Sequence, residues 1–159
     1  DGSALRRPDE HAQRDFQMSA FSAVLAALQN DATLQGILPG GVYSGLETSD
    51  ISRQATPAAY DEFGEVKPCG LLKVETATPW GPHPDTARLY VVLWLYAQRD
   101  IAAIDAGRER AYQVLHRQQL STTEGIFEVR HASDVMGTEV GGLDLPTIAS
   151  RFVVTVDRG

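Results

Sequence analysis

The sequence predicts an α+β domain in which an antiparallel sheet of about four strands is packed by two main helices and carries a long extended arm loop. Three observations predict this class: an alanine-rich helical segment near the N-terminus, two alternating apolar segments joined by a turn-rich connector, and a second helical segment followed by two more alternating segments. The order helix, two strands, helix, two strands is typical of an α+β sandwich.

The N-terminal part of the chain predicts one long helix and one short one. From Asp15 onward, DFQMSAFSAVLAALQND is rich in alanine, lacks internal Gly and Pro and repeats apolar residues at helical spacing, which predicts an amphipathic helix. The next segment, ATLQGILPGG, predicts a single helical turn stopped by Pro39, followed by a short strand at Val42 and Tyr43.

Two segments predict a strand hairpin with a stiff, proline-limited tip. CGLLKVETATP alternates apolar and polar residues, and ARLYVVLWLYAQRD is the most apolar stretch of the chain. The second segment is far shorter than the roughly 20 residues that a membrane-spanning helix needs, so it must be buried in protein. Its alternate side chains form two apolar faces. One holds Leu89, Val91, Leu93, Leu95 and Ala97, and the other holds Tyr90, Val92, Trp94 and Tyr96.

The C-terminal part predicts the second helix and the last strands. Asp100 can cap the helix DIAAIDAGRERAYQVLHRQQL, and GIFEVRHA predicts a third strand. A Gly-rich acidic loop is expected from Ser133 to Pro146, before the last strand TIASRFVVTVD. Because two main helices readily cover one face of such a sheet, the other face is the candidate surface for oligomer contacts.

A long segment from Ser44 to Pro68 is broken by prolines and glycines but contains three apolar side chains to bury, Tyr60, Phe63 and Val66. A loop of this length in a compact domain is usually functional, or is an arm that packs on another chain. Trp80 lies at the predicted hairpin tip, where an exposed large apolar side chain usually has a partner.

Composition narrows the classes of function. With 159 residues and a formal net charge of −7, we expect a flexible extension over residues 1–15 and a single domain over residues 16–159. The acidic balance argues against a partner held mainly through phosphate contacts. The single cysteine, Cys69, rules out an intrachain disulfide and a thiolate metal site. The polar start, DGSALRRPDEHAQRD, lacks the apolar core of a secretion signal, so synthesis in the cytoplasm is expected.

The residues that usually carry catalysis form no motif. The four histidines are scattered, the glycine-rich pieces LPGGVYSG and EVGGLD match no nucleotide-binding loop, and Glu139 and Asp144 do not have calcium-loop spacing. We therefore expect no catalytic residue, no metal and no cofactor. Cys69 is expected to be a small buried side chain rather than a nucleophile.

The order of these parts resembles the tail terminator and neck proteins of long-tailed double-stranded-DNA phages. The resemblance runs from Phe16 to Val156 and rests on the alanine-rich helix, LQGILPGGVYSG, the arm, RLYVVLWLYAQ, AAIDAGRERAYQVLH and the closing strand pair. It implies a structural, non-enzymatic virion protein, assembled in the host cytoplasm. Such a protein forms a hexameric ring at the head-proximal end of the tail, ends the tail tube and joins it to the head-tail connector or stopper protein. DNA only passes through the lumen, where an acidic lining would let it slide.

The resemblance implies a set of residues for contacts between subunits or with the tail tube protein: Tyr60, Phe63, Val66, Trp80, Tyr90, Trp94 and Tyr96. The arm would serve another neck or adaptor ring equally well. Two other classes stay open: a small α+β ligand-binding or regulatory domain, and an enzyme, such as a hydrolase using Asp85 or His83 at the hairpin tip.

Overall fold

The computed structural model describes residues 8–79, 86–122, 125–137 and 145–157, with side chains described for 18–75, 88–120, 127–135 and 145–155. Three α-helices, one 3-10 turn at Pro57–Ala59 and six strands lie in these ranges. Labelled in chain order, the α-helices and strands are α1 Pro8–Gln29, α2 Ala32–Ile37, β1 Val42–Ser44, β2 Cys69–Pro79, β3 Thr86–Tyr96, α3 Ile101–Leu115, β4 Gln119–Thr122, β5 Gly125–Gly137 and β6 Thr147–Asp157.

The described strands form one mixed sheet in the order β1-β2-β3-β6-β5-β4, in which only β1 and β2 are parallel. The α+β class is confirmed, but the prediction of a four-stranded antiparallel sheet is wrong. The two additional strands are short and lie at the edges. β1 is parallel to β2 because the arm between them is long enough to return the chain to the same end of the sheet, as a parallel pair requires.

The second helix ends five residues earlier than predicted, and this accounts for the missed strand β4. α3 is capped by Asp100, whose Oδ1 accepts from the Ala103 N–H at 3.0 Å. It ends at Leu115, and Arg117 adopts a positive φ of 62° while its N–H donates to the Val129 carbonyl at 2.7 Å. The polar residues after it pair with β5 instead of continuing the helix.

Boundaries also differ at α1 and β5. α1 begins at Pro8, seven residues before the predicted start at Asp15. β5 continues to Gly137, so the first residues of the loop predicted from Ser133 to Pro146 belong to a strand. A register shift between His131 and Ser133 lets the strand continue beside β6 to Gly137. The helical turn α2 and the strand β1 lie where the sequence predicts them.

One face of the sheet packs against all three helices. Apolar side chains from β2, β3, β5 and β6 form a contiguous core with α1, α2 and α3. The fully buried members include Phe21, Leu28, Leu93, Phe127 and Phe152. This face holds the first set of β3 residues predicted from the alternation, because successive side chains of a strand point to opposite faces.

An ion pair links the start of α2 to α3. Asp31 caps α2 by accepting from the Leu34 N–H at 2.9 Å, and its two carboxylate oxygens each accept a 2.8 Å hydrogen bond from Arg110 on α3. The hydrogen bonds from Arg110 lower the pKa of Asp31 below its ordinary value. This pair fixes α2 against α3 above the core.

Candidate functional site: an open sheet face and an exposed turn

The second face of the sheet is covered at one end by the arm, residues 45–68. Ile51, Ala59 and Val66 of the arm pack with Leu71 and Tyr96 of the sheet in a separate apolar cluster. The segment Tyr60 to Val66 folds back on itself through a β-bridge between these two residues. The arm thus supplies, within the same chain, part of the cover that the apolar strand β3 needs.

Burial in this cluster affects its titratable side chains. Desolvation raises the pKa of the Cys69 thiol to about 12, which favours the neutral thiol. Burial also raises the pKa of Tyr43, Tyr60 and Tyr96. The hydroxyl of Tyr96 is buried without a hydrogen-bond partner among the described residues. These are the properties of a packed structural layer.

The arm ends in a tight turn that presents Phe63. The Asp61 carboxylate oxygen Oδ1 accepts from the N–H groups of Phe63 and Glu65, both at 2.9 Å. Gly64 has a φ of 79°, a value that favours glycine, and its carbonyl accepts a 3.1 Å hydrogen bond from Arg53 Nη2. Phe63 is nevertheless 80% exposed. We call residues 61–65 the acidic turn.

The acidic turn is fixed to the end of the sheet by an ion pair. Arg99, which follows β3, donates from Nη2 to Glu65 Oε1 at 2.7 Å and from Nε to both carboxylate oxygens. These hydrogen bonds lower the pKa of Glu65 and raise the pKa of Arg99. The exposed phenyl ring of Phe63 is therefore carried on a constrained turn.

Beyond the arm, the second face of the sheet is open to solvent in the part of the chain that the structure describes. We call this region the open face. Its side chains come from four rows across β2, β3, β6 and β5. From one end to the other the rows are Arg88, Thr155 and Glu128; Tyr90, Val153 and Arg130; Lys73, Val92, Arg151 and Ser133; and Trp94, Ala149 and Val135.

An arginine–carboxylate pair crosses the open face. Arg151 Nε donates to Glu75 Oε2 at 3.0 Å and Nη2 lies 2.8 Å from Oε1, so the pair is bidentate and joins β6 to β2 across β3. Beside it lies a pocket of about 120 Å³ whose apolar lining is Val92, Trp94, Val135 and Ala149. Val135 is 63% exposed.

A larger groove continues along the open face. It has a volume of about 510 Å³ and is lined by Arg88, Glu128, Arg130, Val153 and Thr155. Arg130 pairs with Glu128 at 2.8 Å. Among the described side chains of the four rows and the adjoining Glu75, four are basic and two are acidic, and one of the four, Lys73, pairs with Asp50 of the arm at 3.9 Å. The whole chain, by contrast, has a net charge of −7. The open face is thus a basic region of an acidic protein.

A separate polar cluster lies on the helix-facing side. Asp134 Oδ1 accepts from Ser150 Oγ at 2.7 Å and lies 2.8 Å from His131 Nε2, and Asp134 Oδ2 lies 3.3 Å from Arg108 Nη1. Burial would raise the pKa of Asp134, but the hydrogen bonds from His131 and Ser150, together with the charge of Arg108, lower it overall. The serine hydroxyl is bonded to the carboxylate and not to the imidazole, which is not the order of a catalytic triad.

The sequence did not predict this cluster or the Arg151–Glu75 pair. Apart from His131 and Asp134, which are three residues apart, their members are distant in the chain, and they occur at no motif spacing. The strand register, together with the packing of α3 that carries Arg108, brings them together. Among the described residues, no three His, Cys, Asp or Glu side chains are grouped as a metal site would require, and no helix is long and apolar enough to cross a membrane.

The residues predicted for subunit contacts lie in different environments. Val66 and Tyr96 are buried, and Tyr60 is partly buried, in the cluster between the chain's own arm and the sheet, whereas Tyr90 and Trp94 are partly exposed on the open face. Phe63 is exposed on the acidic turn. Trp80 lies outside the described residues, as do Asp85 and His83 of the alternative enzyme hypothesis. The role of all seven in contacts between subunits stays a prediction.

Comparisons with known proteins give a structural likeness without a family. No protein-family model matches the chain, and no curated protein matches it in sequence. Among solved structures, the fold is similar to a chain in the virion of a native gene transfer agent particle, with a TM-score of 0.60 and 14% sequence identity. The likeness covers 86% of this chain and 93% of that chain. At this identity it shows that the two chains share a fold.

Proposed function

We propose that this protein is a structural virion protein that acts by assembly, forming a ring at the head-proximal end of a phage-like tail. The observation that carries the proposal is the shared fold with a chain of a gene transfer agent virion, which extends over nearly the full length of both chains. The sequence resemblance to tail terminator and neck proteins, found independently, points in the same direction. In this role the ring ends the tail tube, joins it to the head connector and lets DNA pass through its lumen.

The two sides of the sheet support an assembly function. Fully buried side chains such as Phe21, Leu93 and Phe152 fill the layer between the sheet and the helices. A ligand bound between sheet and helix would need this same space. The open face instead combines partly exposed aromatic and apolar side chains with arginines, a composition that suits a protein interface.

The first test is the solution mass of the purified protein by light scattering, alone and mixed with its cognate tail tube protein, followed by electron microscopy of any large species. A ring, sixfold if the hexamer is correct, found free or at the ends of tubes would support the proposal. A monodisperse monomer that leaves the tubes unchanged in length and unoccupied at their ends would contradict it. In that case the ligand-binding domain becomes the leading alternative.

A further inference from the structure

We propose that the acidic turn of one copy of this chain docks on the open face of a second copy, with Phe63 in the pocket beside Trp94 and Val135 and the exposed carboxylate of Glu62 against the arginines. This contact rests on the proposed function and deepens it, because it specifies how neighbouring subunits of the ring would recognise each other.

The apolar part of the argument comes from exposure. Among the described residues, Phe63 and Val135 are the two most exposed large apolar side chains, at 80% and 63%. Phe63 stands on a turn that is already ordered by hydrogen bonds, and Val135 lines a shallow pocket with Val92, Trp94 and Ala149. A projecting ring and an apolar pocket are complementary shapes, and a central aromatic anchor is the usual source of affinity in an interface.

Charge supports the same pairing. The turn has the sequence DEFGE, with Glu62 exposed beside Phe63. The open face carries three arginines and two glutamates in a protein that is acidic overall. Arg130 lies in the row next to that of Arg151, which borders the pocket. Opposite charges on the two surfaces would steer their encounter and set the register of docking.

Phe63 does not occupy the pocket of its own chain. Phe63 is 80% exposed and Val135, which lines the pocket, is 63% exposed, although the row of Trp94 is the row of the open face nearest the turn. The ion pair of Glu65 with Arg99 fixes the turn beyond the C-terminal end of β3, so the turn and the pocket are both available to other copies. When one surface of a subunit binds a different surface of the next, the contact is heterologous, and it closes into a ring if the rotation between subunits permits.

Disulfide trapping tests the contact directly. The full-length chain would carry Phe63→Cys in one preparation and Val135→Cys in another, and the native Cys69 is buried and does not compete. Mixing the two preparations under mild oxidation is expected to link one subunit of each kind, and a single chain with both changes should give a ladder of linked subunits. The matched control pairs Phe63→Cys with Ile101→Cys, an exposed residue on α3. Equal linking in test and control would overturn the proposal.

A charge exchange tests recognition without a covalent bond. Glu62→Arg and Arg130→Glu are each expected to weaken self-association by about tenfold or more, and the double variant should recover most of it. The readout is the association constant from sedimentation at two salt concentrations, since an electrostatic contact weakens as salt rises. A double variant weaker than either single variant would contradict the pairing.

The outcomes separate this contact from the proposed function. Rings that form while the Phe63→Cys and Val135→Cys chains stay unlinked, or that tolerate the charge changes, would overturn the contact and leave the ring. A specific link in a protein that never occupies tube ends would support the contact and contradict the proposed function. A wild-type chain that stays monomeric at about 1 mM, with or without tubes, would show that a second copy is not what binds the open face. Salt-dependent binding of an acidic protein or of DNA to the open face would then identify a different binding partner and overturn the proposal.

Discussion

Arg151 and Glu75 form a bidentate ion pair that joins β6 to β2 across the central strand β3. Val92, the residue of β3 opposite Arg151, is almost fully buried although it lies on the open face. The guanidinium and its stem thus provide local cover for an apolar strand whose other parts are covered by helices and by the arm. This pair also forms one wall of the pocket proposed for Phe63.

Two substitutions of Arg151 distinguish the contribution of its charge to stability from that of its apolar stem. Arg151→Met keeps most of the apolar stem and is expected to reduce the free energy of unfolding by less than about 1 kcal/mol, because the pair is partly exposed to solvent. Arg151→Ala should cost more, since Val92 also loses cover. Urea unfolding of both variants and of Glu75→Gln checks this. If Arg151→Met loses as much unfolding free energy as Arg151→Ala, the charge itself and not the stem stabilises the sheet.

Tyr96→Phe is expected to leave the stability unchanged or to raise it by about 1 kcal/mol. The Tyr96 hydroxyl is buried and has no hydrogen-bond partner among the described residues, so removing it removes an uncompensated desolvation cost. Leu93→Ala provides the contrast, because deleting a fully buried aliphatic side chain should cost about 2–5 kcal/mol. Destabilisation in Tyr96→Phe would indicate a hydrogen bond to a residue beyond those described.

Asp31 should make stability depend on pH in the acidic range. Its pKa is lower in the folded protein than the ordinary 3.8, so its contribution is complete above the ordinary value and is lost as the pH falls through the lowered pKa. Asp31→Ala removes both the cap of α2 and the pair with Arg110 and is expected to cost about 1–2 kcal/mol at neutral pH. Chemical unfolding between pH 2 and pH 7 should show a smaller acid-induced loss in the variant than in the wild type. Parallel pH profiles would contradict the assignment.

His116 should weaken the fold as the solution becomes mildly acidic. Its Nδ1 accepts from the His131 backbone N–H at 3.0 Å, and its ring stacks on Tyr112. Burial, followed by the nearby charge of Arg117, lowers its pKa below 6.5. The contribution of His116 to the stability of the fold is therefore complete above pH 6.5 and is lost as the pH falls, because the imidazole of the unfolded chain takes up a proton at a higher pH than that of the folded chain. His116→Asn keeps an acceptor for the N–H without the titration, and its thermal midpoint should change less between pH 7 and pH 5.

Phe63→Ala should leave the isolated subunit as stable as the wild type, within about 0.5 kcal/mol, because an exposed side chain contributes little to the core. Any effect on assembly measured in parallel is then a direct effect on contacts. Trp94→Ala is the comparison, since Trp94 also packs against the cluster beneath the arm and its loss should destabilise the subunit itself. A destabilised Phe63→Ala would indicate that Phe63 is covered within the chain.

The α+β class, the two main helices and the long strands were predictable because each depends on local periodicity. Apolar repeats near 3.6 and 2 residues identify an amphipathic helix and a half-buried strand from a few turns of sequence. The short strand β1 was predicted as well, but its parallel pairing with β2 and the strand β4 were not. β4 is polar and follows a helical pattern without interruption, and only the positive φ of Arg117 and the pairing with β5 separate it from α3.

In the candidate site, too, some features could be predicted from the sequence and others could not. The alternation in β3 correctly separated its two faces, and the chain's acidity and lack of a catalytic motif directed attention to assembly. Only the tertiary structure decided that Tyr96 lies beneath the arm while Trp94 borders an open pocket, and that Arg151 reaches Glu75. The physical reason is that local pattern specifies which side of a strand a residue occupies, whereas its neighbours on that side are set by strand order, register and the path of a long loop.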